Sequence, residues 1–297
     1  MAERLPIVGF NHVTLRVRDP RETAAYYTRV LGLGITRDDR TTGAIVMSAM
    51  PTGAPVIARH EIVLYPGDPS GLDHYALTVA DAAALTAAAA ELGRRGLTTD
   101  GPALFESLHG PAVRLLDPDG YVCELVAPEV PVARPTGTPP ANLVKLSHVN
   151  VKAADAGASA QWWQRFMDFR LSDQIPGQFY WVRCNSEHAT IALVQSATRG
   201  LHHIGFEIGS WDDVLRMLNH FETQKVEVEF GPGRHGPGNS IFVYFVDPWG
   251  IRWELQAEAA HIANEETYRP GVWDPVSGRA GAVNLWGPTP PESFIRG

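Results

Sequence analysis

Residues 242–255 read FVYFVDPWGIRWEL, and residues 112–125 read AVRLLDPDGYVCEL. Each is an apolar run, an Asp-Pro-x-Gly turn signal and a second apolar run, the pattern of two short strands in a hairpin. Each second run carries one glutamate, Glu254 or Glu124, where a strand should bury a hydrocarbon. The first hairpin adds Tyr244 inside its leading strand and His235 just ahead of it. For Tyr244 and Glu254 to face one cavity, the two-residue period of a strand requires them to pair across the hairpin. That needs a five-residue connection, Asp247 to Ile251, rather than a four-residue DPWG turn.

A glutamate in the same place twice prompts a search for further repetition. NHVTLRVRDPRETAAYYTRVLGL begins at Asn11, and SHVNVKAADAGASAQWWQRFMDF begins at Ser147. In register, His12 meets His148, Tyr26-Tyr27 meets Trp162-Trp163, and Arg29 meets Arg165. LDHYALTVADAAALTAAAAELGRRGL from Leu72 matches LHHIGFEIGSWDDVLRMLNHFETQKV from Leu201. Three matched blocks in one order make two modules of one fold, α+β in class. Each module is a pair of βαβββ units forming a curved mixed sheet around a cavity. The spacing predicts helices over RETAAYYTRVL, the Ala-rich ADAAALTAAAAELGRR and SWDDVLRMLNHFET. The last opens on a Ser cap followed by two Asp at the positive helix end.

The expected division is a first module over 1–128, a linker over 129–140, a second module over 141–258 and a tail over 259–297. Around the linker, APEVPVARPTGTPP (127–140) is extended and hostile to helix. The tail matches nothing in the first module. Its Trp273, Trp286 and Phe294 have little use in a loose segment, so it is expected to pack near the cavity mouth.

The net charge of −8 argues against a nucleic-acid partner, which would need a basic face for phosphates. The only two cysteines, Cys123 and Cys184, form neither a metal pair nor a disulfide framework, so a reducing compartment is expected. The start, MAERLPIVGF, has no apolar leader core, and no apolar run approaches a membrane span. A soluble cytoplasmic protein with no membrane partner is the reading.

His148 in LSHVNV, His203 in LHHIGFEI and Glu254 in IRWEL are ionisable groups inside apolar strands. Two imidazoles and one carboxylate from separate strands can occupy one face of a divalent metal. The opposite face then stays open for substrate and dioxygen, as in non-haem Fe(II) oxygenases. One such residue alone would be an ordinary hydrogen-bonded core group. Three at repeat-equivalent positions are not explained that way.

The segment runs Gly233, His235, Val243-Tyr244, Asp247-Pro248, Gly250 and Glu254 at fixed intervals. It resembles the signature of type I extradiol ring-cleavage dioxygenases of the vicinal oxygen chelate superfamily, such as catechol 2,3-dioxygenase and homoprotocatechuate 2,3-dioxygenase. The resemblance covers both modules and implies roles. His148, His203 and Glu254 match iron ligands, the match falling on His203 rather than His202. His188, in NSEHATIALV, matches the acid–base histidine. His235 and Tyr244 match residues that hydrogen-bond substrate and oxygen species. The implied activity is Fe(II)-dependent extradiol (meta) cleavage of a catecholic ring with O2, Mn(II) fitting the same donor set. The implied product is of the hydroxymuconic-semialdehyde type, formed in aromatic catabolism. The family commonly forms homo-oligomers, dimers or tetramers. Two rival functions share the fold: a metal-dependent lyase or isomerase of the glyoxalase kind, and a drug-sequestering binding module.

In the first module, His12, His74 and Glu124 stand at the equivalent positions, and His60 matches His188. The resemblance implies that this module is non-catalytic. Arg114 stands where Tyr244 stands, and His109 lies fifteen residues ahead of Glu124 whereas His235 lies nineteen ahead of Glu254. The set is therefore expected to be a vestigial metal site. For the substrate pocket the candidates are Tyr180, Trp181, Phe230, Arg279 and Trp286. They favour an uncharged, alkyl- or aryl-substituted catechol or a trihydroxybenzene, with Arg279 the one group suited to a carboxylate.

Overall fold

A computed structural model describes residues 4–50, 61–107, 110–128, 138–274 and 282–296, the side chains of 101–107 and 296 apart. The first module runs β1 (Ile7–Val17), α1 (Pro20–Leu31), β2 (Gly34–Asp38), β3 (Ile45–Ser48) and β4 (Ile62–Pro66). It repeats the pattern as β5 (Gly71–Val79), α2 (Ala82–Arg94), β6 (Thr99–Ser107), β7 (Gly110–Leu116) and β8 (Val122–Val126). The second runs β9 (Leu143–Ala153), α3 (Ala156–Met167), β10 (Arg170–Ile175), β11 (Phe179–Arg183) and β12 (Ile191–Gln195). Then follow β13 (Gly200–Ile208), α4 (Trp211–Gln224), β14 (Val228–Arg234), β15 (Ile241–Val246) and β16 (Arg252–Ala257). Beyond them lie the short β17 (Gly271–Val272) and α5 (Glu292–Arg296). This is the α+β architecture of paired βαβββ units expected from the repeat.

The sheet orders are β2-β3-β4-β1-β5-β8-β7-β6 and β14-β15-β16-β13-β9-β12-β11-β10-β17. In each module the opening strands of the two units pair antiparallel at the centre, β1 with β5 and β9 with β13. Each central strand then pairs parallel with the last strand of its own unit. This closure brings residues from three strands to one place, because β13 lies between β9 and β16.

Local chemistry sets the helices. Asp19, Asp81, Asp155 and Ser210 cap α1 to α4, each side chain accepting backbone N–H bonds of the first turn. The buried faces of α1 and α3 centre on Tyr27 and Trp163, the aromatic pair aligned by the repeat, both fully enclosed. One continuous apolar core runs from Leu5 to Ala257 and so spans both modules. The cysteines are free and buried, and burial pushes the Cys184 thiol up to about 11. Among the described residues no helix is long and apolar enough to cross a membrane.

Candidate active site

The hairpin of residues 241–257 has the five-residue connection that the period demands. Tyr244 pairs with Glu254 across β15 and β16, and the loop spans 247–251. Asp247 shapes it by accepting the backbone N–H groups of Trp249 and Ile251. Glu254 is thereby aimed at β13 and β9. His148 Nε2 and His203 Nε2 lie 3.1 Å apart, and they lie 3.1 and 3.2 Å from Glu254 Oε2. All three residues are buried. Gly205 on β13 makes the arrangement possible. It stands opposite both His148 and Glu254, and a Cβ there would lie 2.2 Å from the His148 ring.

The hydrogen bonds behind the two rings fix which atoms they present. The Ser147 hydroxyl gives its one proton to the Gly205 carbonyl and accepts from Gln256, so His148 Nδ1–H donates to Ser147 Oγ at 2.9 Å. Phe294 O accepts His202 Nε2–H at 3.1 Å, which leaves His202 Nδ1 to accept His203 Nδ1–H at 2.7 Å. Burial, together with the neighbouring His203 and Arg252, holds His202 well below its ordinary value and hence neutral. Burial also brings His203 down to about 4, despite the pull of Glu254. With the ring protons on Nδ1, His148 and His203 both turn Nε2 toward the Glu254 carboxylate. Glu254 stays well below the carboxylate range: burial opposes its charge, and the polar groups packed on it, His148 and His203 foremost, outweigh that. Three acceptors about 3 Å apart match adjacent donors on one face of a six-coordinate divalent ion with bonds of about 2.1–2.2 Å. The donor set fits a metal.

An outer ring of polar groups surrounds the triad. Tyr244 donates its hydroxyl to Glu254 Oε1 at 2.6 Å. His235 Nδ1 donates to the Val283 carbonyl at 2.7 Å and turns Nε2 to Tyr244 Oη at 3.0 Å and Glu254 Oε1 at 3.3 Å. His188 lines the same cavity, with Nε2 at 2.8 Å from Asp173 Oδ2. Burial would raise the Asp173 carboxyl, but the bond from His188 and backbone N–H groups of Gly271 and Gly238 bring it below its usual value. Asp173 was not expected from the sequence. Its one signal is an acid inside the short strand RLSDQI, which reads equally well as a solvent-facing residue. Asn150 was also missed: it lines the cavity two residues after His148, and its buried Oδ1 has no hydrogen-bond partner.

The cavity encloses about 560 Å³, its mouth included. Its apolar wall comes from Ile175, Phe179, Trp181, Pro237, Val283 and Phe294. Of the pocket candidates Trp181 lines the cavity, and three others do not. Tyr180 alternates with Phe179 and Trp181 on β11, so its ring turns to the opposite face and its hydroxyl accepts from Gly177 N. Phe230 sits behind Tyr244, packed with Phe242 and Phe294 rather than facing the cavity. Trp286 is 51% exposed, against Trp211 and Arg234. Arg279, His60 and His109 lie outside the described residues. Among the described lining residues, histidine is the only side chain able to carry positive charge.

The first-module residues also converge. Ligand atoms of His12, His74 and Glu124 lie within 4.8 Å of one another, and all three residues are buried. Arg114 pairs with Glu124 in the register of Tyr244 with Glu254, and donates Nε–H to Glu124 Oε1 at 2.5 Å.

Both modules match the family model described as Glyoxalase/Bleomycin resistance protein/Dioxygenase superfamily, over residues 9–125 and 145–255. A metapyrocatechase from Pseudomonas sp. (strain CF600) is 25% identical over 282 residues, 88% of this chain and 89% of that protein. The manganese-dependent 2,3-dihydroxybiphenyl 1,2-dioxygenase of Geobacillus genomosp. 3 is 24% identical over 90% of each chain. Among solved structures, a variant of homoprotocatechuate 2,3-dioxygenase from Brevibacterium fuscum superposes with a TM-score of 0.87 at 22% identity. It covers 99% of this chain and 82% of that one, a likeness of fold. With the model matched once in each βαβββ pair, this chain belongs to the Glyoxalase/Bleomycin resistance protein/Dioxygenase superfamily.

Proposed function

We propose that the protein is an extradiol dioxygenase that opens a catecholic ring with O2, using Fe(II), or Mn(II) in the same donor set. The observation that carries this reading is the joining of two shells: His148, His203 and Glu254 as metal donors, with Tyr244, His235 and His188 around one cavity. A glyoxalase-type lyase needs the donors but leaves the outer shell without work, and a binding module needs neither.

The bound ion would supply a chelation point for both diol oxygens and a path for electrons from the ring to O2. The protein's own groups do the rest. His148 and His203 are fixed in orientation by Ser147 and His202, so their Nε2 atoms need no reorganisation to bind. Tyr244 has two acceptors in reach, Glu254 Oε1 and His235 Nε2, and can turn its hydroxyl to a diol oxygen without crossing the cavity. His188 holds a proton at Nε2 against Asp173 Oδ2, which fixes the ring and leaves Nδ1 as the nitrogen able to take and return a proton. Phe179, Trp181 and Phe294 exclude water and suit an apolar ring substituent. With no lysine or arginine among the described lining residues, an uncharged catechol is preferred over a carboxylated one.

The test is anaerobic loading with Fe(II) or Mn(II), followed by air and a panel of catechol, alkylcatechols, 2,3-dihydroxybiphenyl and a carboxylated catechol. Oxygen uptake with a yellow ring-fission product is expected for the uncharged members. Metal-loaded protein that consumes no oxygen with any catechol would exclude the reading.

A further inference from the structure

We propose that His12, His74 and Glu124 form a second, closed site for a divalent cation in the first module, tetrahedral and structural rather than catalytic. The three residues come from β1, β5 and β8, neighbouring strands at the centre of the first sheet. His12 and Glu124 are fully enclosed and His74 is 6% exposed.

Each ring has its Nδ1 against an oxygen acceptor. His12 Nδ1 lies 2.7 Å from Asn11 Oδ1, and His74 Nδ1 lies 2.8 Å from the Asp73 carboxylate. An oxygen acceptor calls for a proton on each Nδ1, which makes Nε2 the atom each ring turns to the site. The two Nε2 atoms lie 3.4 Å apart, and Glu124 Oε1 is 3.6 Å from His74 Nε2. A carboxylate behind a histidine is the usual support for a metal ligand. Independently, Glu124 Oε2 is buried and has no hydrogen-bond partner, a costly state that a cation would relieve.

Arg114 was expected to mark this set as derelict. It donates to Glu124 Oε1, the oxygen 3.6 Å from His74 Nε2, whereas Tyr244 bonds the oxygen of Glu254 that faces away from the two histidines. The substitution replaces a hydroxyl that could serve a substrate with a fixed guanidinium, and leaves Oε2 as the Glu124 oxygen that a cation would take. Ala76 stands where Gly205 stands, so a methyl group lies at the strand position that His148 needs empty. The first-module donors are accordingly wider apart. The 3.4 Å between the two Nε2 atoms suits a tetrahedral ion of the Zn(II) kind, whose adjacent donors stand about 3.3–3.6 Å apart at bonds of about 2.0–2.2 Å. Thr14 Oγ1, 3.0 Å from His74 Nε2, adds a fourth donor atom nearby. Such an ion would tie β1, β5 and β8 together.

The full chain, stripped with chelator, is titrated with Co(II), whose visible bands are intense in tetrahedral and weak in six-coordinate sites. The wild type is expected to bind two equivalents, one giving the intense band. Glu124→Gln should lose that equivalent and band and keep the other, which also reports that the chain is folded. His203→Asn should keep the intense band and lose the weak one, and because this arm needs no turnover it stands apart from the ring-cleavage reading. One equivalent in the wild type, unchanged by Glu124→Gln, overturns the proposal. So does a second equivalent that appears only in Arg114→Gln, which would make the guanidinium itself the resident cation.

Discussion

Gly205 decides where His148 can stand. The ring crosses the strand at the one position with no side chain, and an added methyl would sit 2.2 Å from it. Neither partner can yield cheaply, because His148 Nδ1 is tied to Ser147 and its Nε2 is shared with His203 and Glu254. Gly205→Ala should therefore fold but hold metal poorly, with affinity lower by about 10–100-fold, the scale at which a displaced ligand orientation is felt. Metal titration beside a circular dichroism spectrum checks this, and unchanged affinity would show that the ring has room to move. The sequence does not announce Gly205, because a glycine in a strand has many causes. His148, His203 and Glu254 were legible for the opposite reason: an ionisable group in an apolar strand has few causes, and here the repeat supplied each one twice. Asp173 and Asn150 escaped because polar residues of strands face solvent as often as a cavity, and one sequence does not say which face a strand turns inward.

At the scale of elements, the hairpin was read correctly because two residues with one destination fix the register and therefore the loop. Tyr180 was misplaced by neglect of the same period, since it and Trp181 are adjacent on β11 and cannot share a face. The contribution of α5 lay beyond local pattern. Arg252, ion-paired with Glu229, reaches the Ser293 carbonyl and so pins this short helix near the cavity. Phe294 then packs on Tyr244 at 4.7 Å and His202 at 5.0 Å between ring centres. Phe179, Val283 and Phe294 also border an outer groove formed with Gln178, Thr289, Pro290 and Ile295. These three side chains are thus the partition between groove and cavity. Phe294→Ala should breach it. The expected result is a shift of kcat/KM by tenfold or more toward 2,3-dihydroxybiphenyl relative to catechol, mostly through a lower KM for the larger ring. Equal losses on both substrates would mean that Phe294 acts only through the stability of α5.

At the scale of the whole molecule, the repeat yields two sheets, but the contact between them is not a pattern that repeats along a chain. Each Asp-Pro-x-Gly loop docks on the other module through a different bond. Tyr121, in the first loop, bonds main chain of the second module: its hydroxyl donates to Lys152 O and accepts from Gly200 N. Asp247, in the second loop, accepts the hydroxyl of Tyr27 from α1 at 2.6 Å, with Trp253 Nε1 donating to the same oxygen at 3.2 Å. The second bond is buried on both sides and one partner is a carboxylate, and the loop it holds sets the register of Tyr244 and Glu254. Removing the donor strands part of a buried charge, which costs about 1–3 kcal/mol, whereas a bond to neutral main chain is worth about 1 kcal/mol. Tyr27→Phe should therefore lower the midpoint of denaturant unfolding more than Tyr121→Phe does, with an unchanged slope in both. Tyr27 touches none of the metal donors, so metal binding per folded chain should hold in the same variant. A smaller effect at Tyr27 than at Tyr121 would mean that Trp253 alone satisfies Asp247 and that the modules are held by their common apolar core.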